Sequence, residues 1–192
     1  MTDYFVDSGS VLENKLGIKD QKKLQEIEQD IVTKKTATLL NKAETVFDFN
    51  FLLYIHKTIF EDIYDFAGKV RTVDIAKHEA STPFAYAKFI NAEAKRIFDE
   101  LKSKEYLTNL TTQLFIQEIA NISAELNALH PFRDGNGRTI RLFLILLADS
   151  AGYLIDYSRT SSKEIINADK LAFEGNPRPL LALYKKITIE VL

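Results

Sequence analysis

The densest chemistry in the chain lies in HPFRDGNGRTIR, residues 130–141. Pro131 disfavours helix at His130 and so ends the apolar segment before it. Asp134-Gly135-Asn136-Gly137 is turn chemistry, and its glycines let the backbone come close to a ligand. An apolar helical segment starts directly afterwards. Its first N–H groups have no intrahelical partners and carry the positive end of the helix dipole, which makes the junction an anion cradle suited to phosphate. Arg138 and Arg141 share a helix face and can bring forked donors to one anion. Asp134 puts a carboxylate beside that anion, where it is most simply a magnesium ligand. His130 can exchange a proton near neutral pH, and its natural task is to take one from an attacking hydroxyl. Base, metal carboxylate and cradle are together the parts of phosphoryl- or nucleotidyl-group transfer. Each part alone has a plainer reading: a bare turn, a capping or core histidine, a solvated pair of arginines.

The rest of the chain must hold those residues in place. With 192 residues, 46% apolar and 27% charged, it is read as one soluble domain, 1–192, with a sizeable core. A net charge of −2 gives no basic field for nucleic acid. The absence of cysteine excludes disulfides, thiolate metal sites and a cysteine nucleophile. The first residues, MTDYFVDSGS, lack the basic and apolar blocks of a signal peptide, and the apolar run Leu142 to Ala148 is too short to span a bilayer. A cytoplasmic protein is expected, with export by a route that reads no N-terminal signal left open.

Helical spacing dominates. Asp20 can cap a helix carrying Leu24, Ile27 and Ile31; Phe49, Leu52, Leu53, His56, Phe60 and Ile63 form a second face that Gly68 can end. The period then changes: KVRTVDIAK alternates and predicts a short strand or hairpin arm, so a small β-hairpin is expected at about 70–83. Pro83 can open a helix with Ile90, Ala94, Ile97 and Leu101, and Phe115, Ile119, Ile122, Leu126 and Leu129 mark the next. IRLFLILLADSAG reads as a central buried helix stopped by Gly152. Ser161 and Glu164 have capping-box spacing for a helix closed by Gly175, and Pro179 can open a last helix reaching the C-terminus. The fold class expected is all-α.

The 130–141 stretch resembles the signature of the Fic (filamentation induced by cAMP) family, His-x-Phe-x-Asp/Glu-Gly-Asn-Gly-Arg-x-x-Arg, and fills each of its fixed positions. IHKTIFEDIYDFAGKVRTVDIAK also resembles that family's approach to its flap, with Phe66 where many members have tryptophan. The likeness runs over roughly residues 10–185. It implies a compact Fic-type helical domain of a bacterial protein, with a β-hairpin flap. It further implies transfer of AMP from ATP to a Tyr, Ser or Thr hydroxyl of a target protein, with release of pyrophosphate. On the resemblance, His130 is the general base and Asp134 holds Mg2+. Gly135, Asn136 and Gly137 bind phosphates through backbone and side-chain N–H groups, Arg138 and Arg141 hold the β- and γ-phosphates, and Phe132 anchors the loop. The flap would dock an unidentified target by strand addition. Lys77 and His78, near its tip, face either nucleotide and target or solvent, and His56 is structural.

Many relatives are restrained by a helix bearing Ser/Thr-x-x-x-Glu-Gly/Asn. Glu13 and Glu174 are the glutamates followed by Gly or Asn here, and neither has Ser or Thr four residues earlier. A separate small antitoxin that supplies the inhibitory glutamate is therefore expected. Two alternatives stay open: a kinase-like or other nucleotide-derived transferase on the same scaffold, and a nucleotide-binding interaction module without turnover.

Overall fold

The computed structural model describes residues 11–40, 46–75 and 84–191. Helix α1, Gln21–Leu40, starts where Asp20 accepts the Lys23 N–H at 2.7 Å, and it buries Leu24, Glu28, Val32 and Leu39. The charged Glu28 thus lies on the inner face. Helix α2, Phe49–Phe60, is capped by Asp48, which accepts the Phe51 N–H at 2.8 Å. It ends earlier than expected, because Ile63 and Tyr64 both donate to the Phe60 carbonyl and the chain winds on through turns. Gly68 lies in those turns with φ +73°, where a Cβ would stand 2.7 Å from that of Lys57.

Residues 70–75 form no regular strand. The Arg71 N–H donates to the Pro131 carbonyl and the Arg71 guanidinium takes the Val73 carbonyl, so these groups are engaged outside any ladder. The rest of the expected hairpin, with Pro83, Lys77 and His78, lies outside the described residues. A single helical turn at Ala87–Phe89 leads into α3, Ile90–Ser103, which buries the four residues its spacing marked. Helix α4, Thr112–Leu129, ends at His130, which takes the left-handed conformation with φ 46°.

Helix α5, Asn136–Ser150, runs through the middle and packs on α2 and α4. Phe143, Leu144 and Leu147 are fully buried, each worth about 1.5–3 kcal/mol of apolar burial. The two-stranded sheet among the described residues was not foreseen: β1, Tyr153–Ile155, pairs antiparallel with β2, Thr188–Glu190, Leu154 opposite Ile189. Helix α6, Ser162–Phe173, carries the capping box of Ser161 and Glu164. Helix α7, Arg178–Ile187, has Pro179 in its first turn and gives way to β2 before the C-terminus. No described helix is long and apolar enough to cross a membrane.

Candidate active site

The loop between α4 and α5 is closed by its own side chains. Asn136, 2% exposed, accepts the Phe132 N–H at 2.9 Å and donates to the Phe132 carbonyl at 2.8 Å. Its amide therefore serves the loop, and what α5 offers to a ligand from this position is the main-chain N–H. The first helical bond, Thr139 N–H to the Gly135 carbonyl at 3.1 Å, follows the N–H groups of Asn136, Gly137 and Arg138. Gly135 has φ +76°, and a Cβ there would lie 2.4 Å from the Phe60 ring. Phe132 is fully buried and stacks on His56 at 3.8 Å.

His56 is structural, as expected, and it is specific. Its Nδ1 accepts the Gly68 N–H at 2.8 Å, which leaves the proton on Nε2 to donate to the Asp134 carbonyl at 3.0 Å. Burial pushes its pKa down to about 4, with the Arg138 charge adding to the effect against the Asp134 hydrogen bond. It ties the loop to the turn after α2 as a neutral ring.

His130 directs Nδ1 at the Asn127 carbonyl, 3.3 Å away. That acceptor places the proton on Nδ1 and the lone pair on Nε2, the tautomer a base requires. The Phe84 ring stacks on the imidazole at 3.8 Å and 15°.

Asp134, Arg138 and Arg141 line one cavity of about 510 Å³, together with Leu12, Glu28 and Tyr64. The Asp134 side chain is 45% exposed and one oxygen accepts from Arg138 at 3.1 Å. Loss of water around it raises its pKa, while Arg138 pulls the other way and Glu28 adds to the rise. A hard oxygen donor so placed fits magnesium, which takes one or two carboxylates and completes its shell with water and phosphate.

Arg138 holds a position the sequence did not reveal. Its guanidinium pairs with Glu28 of α1, lies over the Phe60 ring at 4.7 Å, and reaches Asp134. Tyr64 donates its hydroxyl to the other Glu28 oxygen, and burial followed by that carboxylate raises the Tyr64 pKa. Arg141 packs over Gly137, its guanidinium 3.1 Å from where a Cβ would sit, a close approach that glycine leaves room for. The loop thus brings together His130, Asp134, the N–H groups of 135–137, Arg138 and Arg141; Lys77 and His78 lie outside the described residues. Glu28, Arg71 and Phe84 were missed. Nothing local marks them, since each acts on a residue distant in the chain.

The Fic/DOC family model matches residues 46–148. The chain is 38% identical over 177 residues to "Protein adenylyltransferase VbhT" of Bartonella schoenbuchensis, covering 92% of this chain and 37% of that relative. It is 34% identical to "Probable protein adenylyltransferase y4lH" of Sinorhizobium fredii, over 92% of this chain and 91% of the relative. Among solved structures, the N-terminal Fic domain of a Bep effector from Bartonella quintana, with bound ADP, superposes with a TM-score of 0.94 at 30% identity. That match covers 98% of this chain and 95% of the other. BepC from Bartonella tribocorum, with bound AMPPNP, gives 0.95 at 29% identity over 98% and 97%. On the length of the family match and the identity over nearly the whole of a full relative, this chain belongs to the Fic/DOC family.

Proposed function

We propose that the chain is a protein adenylyltransferase that moves AMP from ATP to a Tyr, Ser or Thr hydroxyl of a target protein. The observation that carries this reading is that one short stretch between α4 and the first turns of α5 carries His130 with Nδ1 at the Asn127 carbonyl, and a carboxylate and two arginines that line one cavity beside helix N–H groups. The names of the relatives and the nucleotides bound in the solved neighbours support it.

In this reaction the target hydroxyl oxygen bonds to the α-phosphorus while the bond to the bridging oxygen breaks, and pyrophosphate leaves. His130 Nε2 takes the hydroxyl proton. The N–H groups of 135–137 and the forks of Arg138 and Arg141 hold the phosphates and orient pyrophosphate for departure. Asp134 would hold magnesium, which when bound neutralises phosphate charge. The target would dock on the 70–83 segment, and Lys77 and His78 would serve there as contacts to nucleotide or target. ATP and target meet in the cytoplasm. Restraint would come from a separate small protein presenting a glutamate to Arg141, whose guanidinium lines the same cavity.

Protein and His130→Ala are incubated with a bacterial lysate, magnesium and ATP labelled at either the α- or the γ-phosphate. Protein labelled from α-ATP alone, and only with His130 present, is the expected result. Label from γ-ATP makes the chain a kinase. Absence of both labels, with ATP still bound by calorimetry, makes it a binding module.

A further inference from the structure

We propose that a chain of three hydroxyls, on Tyr157, Tyr184 and Ser123, orients the Arg141 guanidinium for a phosphate through the dipoles of neutral oxygens. The purpose of this device rests on the adenylyl-transfer reading, in which Arg141 is a phosphate donor, but its geometry stands apart from that reading.

Arg141 lines two cavities. One is the larger cavity it shares with Asp134 and Arg138. The other is narrow, about 20 Å³, and is lined also by Ser123, Gly137, Tyr157, Asp169 and Tyr184. The Arg141 guanidinium packs over Gly137, so its charged head borders the narrow cavity. The three hydroxyls come from separate elements: Ser123 from α4, Tyr184 from α7, and Tyr157 from the single helical turn Tyr157–Arg159 that follows β1. Ser123 and Tyr184 are buried. Apolar side chains could join α4 to α7 without them, and a buried hydroxyl costs free energy that only a partner offsets.

The chain has a direction. Tyr184 donates its hydroxyl to Ser123 Oγ at 2.9 Å. A phenol carries one proton, so Tyr184 accepts from the Tyr157 hydroxyl, 3.1 Å away. Tyr157 has then spent its own proton, and its oxygen turns only lone pairs to the cavity. The O–H dipoles run from Tyr157 toward Ser123 and leave their negative end at Tyr157, which lies in the field of Arg141. Burial pushes the Tyr157 pKa well above its ordinary range and that of Tyr184 up to about 12, so the chain stays neutral. Asp169 adds a charge opposite to Arg141 at the same cavity. Neutral oxygens can orient a cation and leave its charge to a ligand. Arg138 differs, because Glu28 and Asp134 pair with it directly. Tyr157, Tyr184 and Ser123 are positioning residues, acting through Arg141.

The test compares the native protein with Tyr157→Phe, Ser123→Ala and Asp169→Asn. Tyr153→Phe is the control, since it loses a tyrosine hydroxyl that bonds the Leu110 carbonyl instead. ATP and AMP affinities are measured by calorimetry, and the order of the Arg141 Nε–H by nitrogen relaxation. AMP lacks the β- and γ-phosphates and so reports any general damage to the site. Tyr157→Phe should weaken ATP about tenfold and leave AMP within about twofold of native. Ser123→Ala lets Tyr184 turn its proton toward Tyr157, which reverses the chain, and ATP should weaken about threefold with AMP again unchanged. The Arg141 Nε–H should lose order in both variants. Tyr153→Phe should match the native protein, and Asp169→Asn should bind ATP at least as well as native. Equal losses of ATP and AMP in Tyr157→Phe overturn the proposal, as does native ATP affinity in that variant. A loss of ATP in Asp169→Asn that Tyr157→Phe does not show assigns the positioning to the carboxylate and also overturns it. Should the native protein bind no ATP, the transfer reading fails alone; lower Arg141 order in Tyr157→Phe then upholds the positioning, and unchanged order overturns it.

Discussion

Glu28 and Arg138, 110 residues apart in the chain, form an ion pair inside the cavity over the start of α5. The same carboxylate accepts the Tyr64 hydroxyl, so it is held from two sides. A triphosphate reaching Arg138 must replace this carboxylate and then lie beside its charge. Glu28→Gln keeps the size and an acceptor for Tyr64 while removing the charge. ATP should bind about tenfold tighter, a gain of about 1.4 kcal/mol. Unchanged affinity by calorimetry would mean that ATP does not compete with Glu28 for Arg138.

Gly135 is tested by adding one carbon. Alanine at φ +76° is strained, and its Cβ would overlap the Phe60 ring that also carries Arg138. Gly135→Ala should cost about 2–4 kcal/mol of unfolding free energy and weaken nucleotide binding together. Urea titration with a native midpoint would show that Phe60 can move aside without loss.

Removing the Asn136 amide leaves both main-chain groups of Phe132 without their partner in a buried place. Asn136→Ala should lower stability by about 2–4 kcal/mol, at roughly 1–3 kcal/mol for each orphaned group. A thermal midpoint within a degree of native would show that water or a shifted loop replaces both bonds.

The buried His56 predicts a stability profile in acid. Its folded pKa, about 4, lies below the ordinary value of 6.5, so the unfolded chain binds the proton more readily. Stability from this residue is whole above about pH 6.5 and is lost as pH falls toward 4, by roughly 3 kcal/mol in total. Unfolding free energy measured from pH 7 to pH 4 should fall less steeply in His56→Gln than in the native protein. Parallel slopes would place the acid sensitivity in other groups.

Much of the site could be read from the sequence because it is contiguous. His130, Asp134, the glycines and both arginines lie within one turn and the first helical turns after it, so spacing alone puts them together. Helical periodicity likewise marked the buried faces of α3, α4 and α5. What escaped depends on distance along the chain. Glu28 looks like one more surface charge on α1 until Tyr64 and Arg138 close around it. Arg71 alternates with Thr72 and Asp74 in a stretch that reads as a strand arm, yet it is buried and engages carbonyls instead of a ladder. The strands β1 and β2 have three residues each, too few for alternation to show, and they pair across more than thirty residues of intervening chain.

The amide ring between Phe132 and Asn136 also bears on the thermodynamics of the site. The loop is ordered by bonds within itself, so its conformational entropy is given up when the chain folds and not when a nucleotide arrives. Nucleotide association should then proceed near the ordinary bimolecular rate without a slow rearrangement of this loop. Differences among ATP, ADP and AMP would be expressed in how fast each departs.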